Sequence, residues 1–450
     1  MKNSGKNQNS TDQEKKSRRD FVKKSALFTG GAMLLPNLQM NAMVNVLNDK
    51  KLKIALVGCG GRGTGAAVQA LNADDNVELV AMADAFEDRL QSSFMNIATA
   101  LGENKKKLNV KEKNKFVGFD GAKKAMDLAD VVILATPPGF RPEHFEYAVN
   151  SGKHVFMEKP VATDVPGVRK VLAAAKKAKE SKLNVVVGLQ RHYQDNYLAA
   201  MDHLKKDAIG KIVSGQVYWN SGGVWVRERK PEQTELEYQM RNWYYFNWLC
   251  GDHILEQHIH NIDVANWFIG EYPISAQGMG GRQVRTGKDH GEIYDHHFVE
   301  FTYPSGAVIA SQCRHQPETM SRVSEFFQGT KGTVSTEGDN AAIKGWDGST
   351  IFEHRGKDDP NPYEVEHVKL FESIRNGGVI SDAENGAKST MTAILGRMAT
   401  YSGKVVKWDE AMASNLVLVP ENLTWESPAP VNPNADGWYE IPTPGKTVVI

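Results

Sequence analysis

Cysteine is scarce: Cys59, Cys250 and Cys313 are the only three in 450 residues. Their spacing excludes a disulfide framework and the paired C-x-x-C pattern of a structural zinc site. Charge of one sign is missing too. Lys+Arg and Asp+Glu both number 54, so no electrostatic attraction favours nucleic acid or an anionic membrane. No apolar run is long enough to cross a bilayer, and the modest one from Ser25 to Leu35 falls well short. Internal repeats and low-complexity core segments are absent as well. What remains is an ordinary globular composition over a length that accommodates two sizeable cores.

The N-terminus reads separately from the fold. Ser17-Arg18-Arg19-Asp20-Phe21-Val22-Lys23, followed by the short apolar run, resembles the twin-arginine export signal. Residues 1–45 are therefore read as signal and linker, and a periplasmic address is expected. No cysteine follows the run, so neither a lipid anchor nor a stable membrane attachment is expected. This export route carries folded, cofactor-loaded proteins, which bears on the chemistry below.

From residue 51 to 190 short apolar runs alternate with helical patterns. Lys51 to Val57, Val77 to Ala83, Val131 to Ala135, His154 to Met157 and Val185 to Val187 read as strands; Arg169 to Lys179 is among the helices. Such alternation predicts an α/β fold with a doubly wound parallel sheet. The lysine-rich stretch from Leu101 to Phe119 reads as a surface excursion. Over 191–412 the pattern changes to alternating runs such as Ile212–Trp219, His297–Tyr303, Ala307–Cys313 and Thr333–Glu337, with Pro304-Ser305-Gly306 as a hairpin turn. That predicts a second α/β domain with an open, mainly antiparallel sheet. Helices over Glu364–Asn376 and Ala383–Tyr401 are free to pack back on the first domain. Residues 413–450 read as an extended tail.

Gly58-Cys59-Gly60-Gly61-Arg62-Gly63 fits G-x-G-x-x-G between a strand and a helix. Gly58, Gly60, Gly61 and Gly63 permit a tight turn and close approach of backbone N–H groups to a pyrophosphate at the helix N-terminus. Asp84 closes the next strand, where a carboxylate binds both ribose hydroxyls and repels a 2′-phosphate. NAD is thus expected over NADP; Arg62 is the side chain of the loop able to meet such a phosphate.

Gly251 to Asp263 reads as one helix. At about 100° per residue, His253, Glu256, His260, Asp263 and Trp267 share a face opposite Leu255, Ile259, Ile262 and Ile269, with His258 nearer the apolar side. Alcohol oxidation needs a base for the hydroxyl proton, and a His beside a carboxylate one turn away suits that task. The aromatic run Trp243-Tyr244-Tyr245-Phe246-Asn247-Trp248, with Trp219 and Trp225, suits the apolar faces of a sugar. Arg191, Tyr193, Trp243 and His296 are the substrate-side candidates. His253, Glu256 and His260, with Asp295-His296-His297 downstream, are metal-type donors. Their spacing is not H-E-x-x-H, and no metal is expected.

Ala135-Thr136-Pro137-Pro138, His144 and Ser151-Gly152-Lys153-His154-Val155-Phe156-Met157-Glu158-Lys159-Pro160, in order behind the glycine loop, closely resemble the core of the glucose–fructose oxidoreductase / inositol dehydrogenase (Gfo/Idh/MocA) family. Gln190-Arg191, the 256–263 segment and Gly329-Thr330-Lys331-Gly332 resemble it too, and the likeness spans roughly 51–412. It implies a nicotinamide cofactor between two domains and action on sugars, cyclitols or related polyols. It assigns Thr136, Pro137, His144, Glu158, Lys159 and Gln190 to the cofactor side, and Lys159, Glu256 and His260 to catalysis. Glutamate at 256 stands where the family usually has aspartate, and His258 stands where it commonly has a small residue.

These readings predict an NAD-dependent oxidoreductase acting on a hydroxyl of a sugar, glycoside or cyclitol. An exported enzyme meets little free cofactor, so its NAD is expected to stay bound. The alternative is an NAD-recycling glycosidase or lyase: oxidation at carbon 3, elimination, addition of water and re-reduction. The expected partner is a small carbohydrate or glycoside, and open sheets of this kind favour a homo-oligomer.

Overall fold

The computed structural model describes residues 50–450. Residues 1–45, read above as signal and linker, lie outside the described residues. Six strands form the first sheet: β1 (Leu52–Val57), β2 (Val77–Asp84), β3 (Lys115–Val117), β4 (Val131–Leu134), β5 (His154–Met157) and β6 (Val185–Val187). Their order is β3-β2-β1-β4-β5-β6, all parallel. The central strands are continuously apolar because helices cover both faces; every residue of β4 and β6 is buried. The order reverses between β1 and β4, and a crevice opens there at the strands' carboxyl ends. The lysine-rich excursion contains edge strand β3, which the sequence pattern does not reveal. It is pinned down by Lys107, whose buried Nζ donates to the carbonyls of Leu71 and Asp74, each at 2.8 Å.

Nine strands form the second sheet: β7 (Ile212–Ser221), β8 (Ser275–Gly281), β9 (His296–Thr302), β10 (Val308–His315), β11 (Arg322–Gly329), β12 (Gly332–Glu337), β13 (Asn340–Gly345), β14 (Thr350–Arg355) and β15 (Val406–Lys407). The order is β14-β13-β12-β11-β7-β10-β9-β8-β15. Neighbours are antiparallel except β7 and β10, which run parallel at the centre. Burial alternates along β9 and β10, and helices Ile259–Ile269 and Ala383–Ser402 cover the inner face. Pro304-Ser305-Gly306 does turn β9 into β10, closed by Tyr303 N–H to the Ala307 carbonyl at 2.9 Å.

The C-terminal helices return to the first domain. Helix Pro362–Arg375 packs on helix Gly61–Ala73, and the Arg375 guanidinium grips both carboxylate oxygens of Asp74 at 2.9 and 3.0 Å. Helix Ala383–Ser402 packs on helix Val165–Glu180. The tail beyond is without regular structure but is tied down at several points. Leu418 N–H donates to Asp164 at 2.8 Å, and Tyr294 Oη donates to the Pro442 carbonyl at 2.8 Å. Trp425 packs against Phe119 and Phe86, at centroid distances of 4.7 and 5.2 Å. Among the described residues no helix is long and apolar enough to cross a membrane.

Two glycines let helix Gly61–Ala73 approach the sheet. Gly58 has φ +96°, and a Cβ there would lie 2.5 Å from the Ala135 carbonyl carbon. A Cβ on Gly63 would lie 1.9 Å from the Gly58 carbonyl oxygen. Gly63→Ala is therefore expected to push the helix off the sheet and destabilise the protein by about 2 kcal/mol or more. Urea unfolding checks this, and a midpoint equal to that of the parent would refute the close-approach argument.

Candidate active site

A groove of about 420 Å³ runs along the carboxyl ends of the first sheet and against the second domain. At one end Gly58, Gly60, Asp84, Thr136, Pro137 and His144 line it. The Asp84 carboxylate accepts from the N–H groups of Cys59 and Phe86 at 2.7 and 2.9 Å, which fixes it beside the glycine turn. A Cβ on Gly60 would meet nothing within 4 Å, so the turn leaves open space over the helix N-terminus. That space, unpaired N–H groups and a fixed carboxylate fit the pyrophosphate and ribose of a dinucleotide. Gly61 and Gly63 shape the turn from outside the lining.

Arg62 is turned away from Asp84. Its Nε donates to Glu158, Nη1 to Gln69 at 2.9 Å and Nη2 to Glu366 at 3.2 Å, with Tyr363 under the guanidinium. Each of its nitrogens is thus held by an acceptor of this protein. Glu366 is fully buried, and burial with the nearby Glu158 charge pushes its carboxyl well up. Gln190 lies outside the groove lining, its Oε1 buried without a partner.

At the other end Glu158 and Lys159, just beyond β5, meet Glu256, Gln257, His260, Trp219 and Trp243 from the second domain. Lys159 Nζ donates to the Glu256 backbone carbonyl at 2.5 Å and lies 3.9 Å from Glu256 Oε1. Glu256 Oε2 and His260 Nδ1 are both buried without a hydrogen-bond partner. Burial, then Lys159 and Arg191, hold the His260 imidazole well below its usual pKa, so it rests neutral. Burial pushes the Glu256 carboxyl up, against the pull of Lys159 and Arg141. Trp219 stacks on the His260 ring at 5.8 Å.

The single amphipathic helix is corrected. The segment is two short helices, His253–Glu256 and Ile259–Ile269, broken at Gln257 and His258. The expected polar face therefore disperses. His253 Nδ1 bonds Asp252 at 2.8 Å, deep in the second domain. Asp263 is taken by His192 and Ser389, each at 2.7 Å. Glu256 and His260 both face the groove without the expected hydrogen bond between them. His258 is packed and bonded to Ser311 at 2.7 Å. Asp252, His253 and His297 lie at metal-ligand spacing. The Asp252 carboxylate, however, already accepts from His253, Tyr294 and Tyr401, at 2.8, 2.9 and 2.5 Å.

Of the substrate-side candidates only Trp243 lines the groove. Arg191 is buried against Glu325, which also accepts from Tyr197 and Thr336. Tyr193 donates to Asp382 at 2.6 Å inside the first domain. His296 sits on the outer side of β9, 41% exposed, paired with Asp295. Arg191 and Tyr193 each found a carboxylate more than 130 residues away in sequence, whereas His296 pairs with its neighbour. Arg141 was missed in turn: wholly buried, it lines the groove and donates to the carbonyls of Pro160 and Thr136, tying the Lys159 turn to the Thr136 turn. No motif announces it. Gln257, Tyr363 and Phe119 were missed for the same reason.

Residues 52–189 match the oxidoreductase family described as having an NAD-binding Rossmann fold, and 197–335 match the GFO/IDH/MocA C-terminal domain. The chain belongs to the Gfo/Idh/MocA family. It is an NAD-dependent oxidoreductase with the family's two-domain architecture. Among curated relatives it is 25% identical over 288 residues to inositol 2-dehydrogenase of Rhizobium meliloti, covering 64% of this chain and 76% of that protein. It is 27% identical over 213 residues to 2,7-anhydro-N-acetylneuraminate hydratase of Escherichia coli, covering 47% of this chain and 52% of that one. The chain thus spans about half the length of the hydratase. Its fold is similar to aldose-aldose oxidoreductase of Caulobacter crescentus, with TM-score 0.62, 20% identity and coverage of 80% of this chain and 100% of that one.

Buried neutral histidines make the fold acid-sensitive. Burial above all pushes His253 down from 6.5 to about 4, and His258 and His367 down to about 3. The unfolded chain binds protons at these sites first, so stability holds above the unfolded value and is lost as pH falls through the folded values. The urea midpoint is expected to fall steadily between pH 6.5 and pH 4. A midpoint constant across that window would contradict the neutral assignment.

Proposed function

We propose that the enzyme oxidises a hydroxyl of a sugar, glycoside or cyclitol and passes the hydride to a tightly held NAD. The observation that carries this is the Lys159 ammonium, 3.9 Å from the Glu256 carboxylate, with the His260 imidazole lining the same groove that holds the glycine turn and Asp84. NAD, when bound, accepts hydride at its nicotinamide. Lys159 steadies the oxygen as negative charge develops, and neutral His260 takes the hydroxyl proton. Glu256 sets the local charge beside Lys159. Trp219 and Trp243 offer aromatic faces to the carbon–hydrogen face of a ring. The relative named as an inositol dehydrogenase supports the polyol class.

A second reading has the hydride returned to the same molecule after elimination and addition of water. A relative named as a hydratase favours it. Export by the twin-arginine route, supported by Ser17-Arg18-Arg19-Asp20-Phe21-Val22-Lys23, suits either reading. A protein outside the cytoplasm must regenerate its cofactor in place. The tail supports retention, because Trp425 backs the groove walls Phe86 and Phe119.

The test is absorbance at 340 nm with a panel of sugars, cyclitols and aryl glycosides. A lasting rise with formation of a keto-sugar marks a dehydrogenase. Released aglycone without a lasting rise marks the closed cycle. Lys159→Ala is expected to lose 100-fold or more of either activity, on the order of the loss of a transition-state donor, with NAD still bound. Full activity in that variant would sink the assignment. For export, replacing Arg18 and Arg19 by lysine is expected to leave the protein in the cytoplasmic fraction; undiminished periplasmic recovery would refute the signal.

A further inference from the structure

Gln257 is oriented by a chain of hydrogen bonds that begins in the core. Arg285 is 4% exposed and carries only N–H donors. Its Nη1 donates to the Tyr294 carbonyl at 2.7 Å, and its backbone N–H donates to Asp295 at 3.1 Å, so the side chain is fixed at both ends. Its Nη2 lies 2.5 Å from His315 Nδ1. A guanidinium cannot accept, so Nδ1 must, and the imidazole carries its proton on Nε2. His315 is 2% exposed, packed between the rings of His253 at 4.6 Å and Tyr244 at 6.0 Å. Burial and the neighbouring His253 and Arg285 lower its pKa, which keeps it neutral.

The Nε2 proton then decides the amide. His315 Nε2 lies 2.5 Å from a side-chain atom of Gln257, and a donor there requires the amide oxygen, Oε1. The amide nitrogen is left facing the groove, which Gln257 lines between Glu256 and Trp219. It has no hydrogen-bond partner among the described residues and is not sealed from the groove. The wall next to the reacting groups therefore presents an oriented amide donor that no hydrogen bond of the protein occupies.

Resting on the polyol reading above, we infer that Gln257 selects the substrate by donating to a hydroxyl oxygen other than the one oxidised. A fixed amide donor holds a lone pair, and an analogue lacking that oxygen leaves the donor unpaired. The role is binding and orientation; proton and hydride transfer stay with the groups already described.

The experiment uses the NAD-loaded enzyme and the sugar of the panel that gives the highest rate, with its series of monodeoxy analogues. Gln257→Glu keeps an acceptor for His315 and removes the donor; Gln257→Met keeps the volume and removes both. Each variant is expected to lose about 10-fold or more in kcat/KM on the parent sugar, mostly through KM, with NAD affinity unchanged. On one deoxy analogue, the one lacking the oxygen that is read, wild type and variants are expected to become equal. Equal losses on every analogue, or no loss on the parent sugar, would overturn the assignment. Wild-type reduction of NAD on the parent sugar tests the polyol reading by itself, so failure of that reading is seen before any variant is compared.

Discussion

The hydrogen bond from Lys159 to the Glu256 carbonyl joins the two domains where their chemistry meets. Lys159 sits just past β5 of the parallel sheet, and Glu256 ends a short helix of the second domain. Everything at the reacting end depends on this contact. It holds the ammonium beside the Glu256 carboxylate, four residues before His260 in the first turn of the next helix, and makes one groove of two half-sites. Arg141 stabilises the same junction from below by gripping both turns of the first domain. Arg62 does so from the side by bridging Glu158 to Glu366 on the returning C-terminal helix.

The site is an arrangement of charges that have left water, so each is stable only with a partner. Arg62, Arg191 and Arg375 each have a carboxylate. Asp252 is satisfied by histidine, tyrosine and backbone donors. Against that background the unpartnered atoms stand out. Glu256 and His260 line the groove, and Glu256 Oε2 and His260 Nδ1 are buried there without a hydrogen-bond partner. The backbone at Asp252 has φ +74° and ψ 162°, a conformation that costs about 1–3 kcal/mol in a residue with a side chain. The buried donors that surround its carboxylate hold it there, and the break that follows turns Glu256 and His260 into the groove.

Local patterns carried the first domain. The strand runs, the glycine turn and Asp84 all depend on neighbours in sequence, and β5 and β6 coincide with the apolar runs His154 to Met157 and Val185 to Val187. The Glu-Lys-Pro element carried Lys159. The second domain was legible only where strands alternate. β8 reads Ser-Ala-Gln-Gly-Met-Gly-Gly and lacks any apolar alternation, so it went unseen, as did the short, exposed β14. Arg191 and Tyr193 were misplaced because their partners Glu325 and Asp382 are set by tertiary packing, and His296 because it falls on the outer side of β9; a polar residue near a motif does not reveal which way it turns. The helix break at Gln257 and His258 was hidden for a similar reason. The helical period continues through it, and only the buried contacts of His258 and the strained Asp252 interrupt the backbone.

The most direct test of the account follows the hydride itself. The NAD-loaded protein is incubated with glucose, methyl glucoside and myo-inositol deuterated at every carbon-bound position, and the quenched dinucleotide is weighed by mass spectrometry. The account predicts a fraction of the cofactor carrying one added deuterium, whether the cycle is open or closed. A dinucleotide that gains no deuterium from any of these polyols would contradict hydride transfer in this groove.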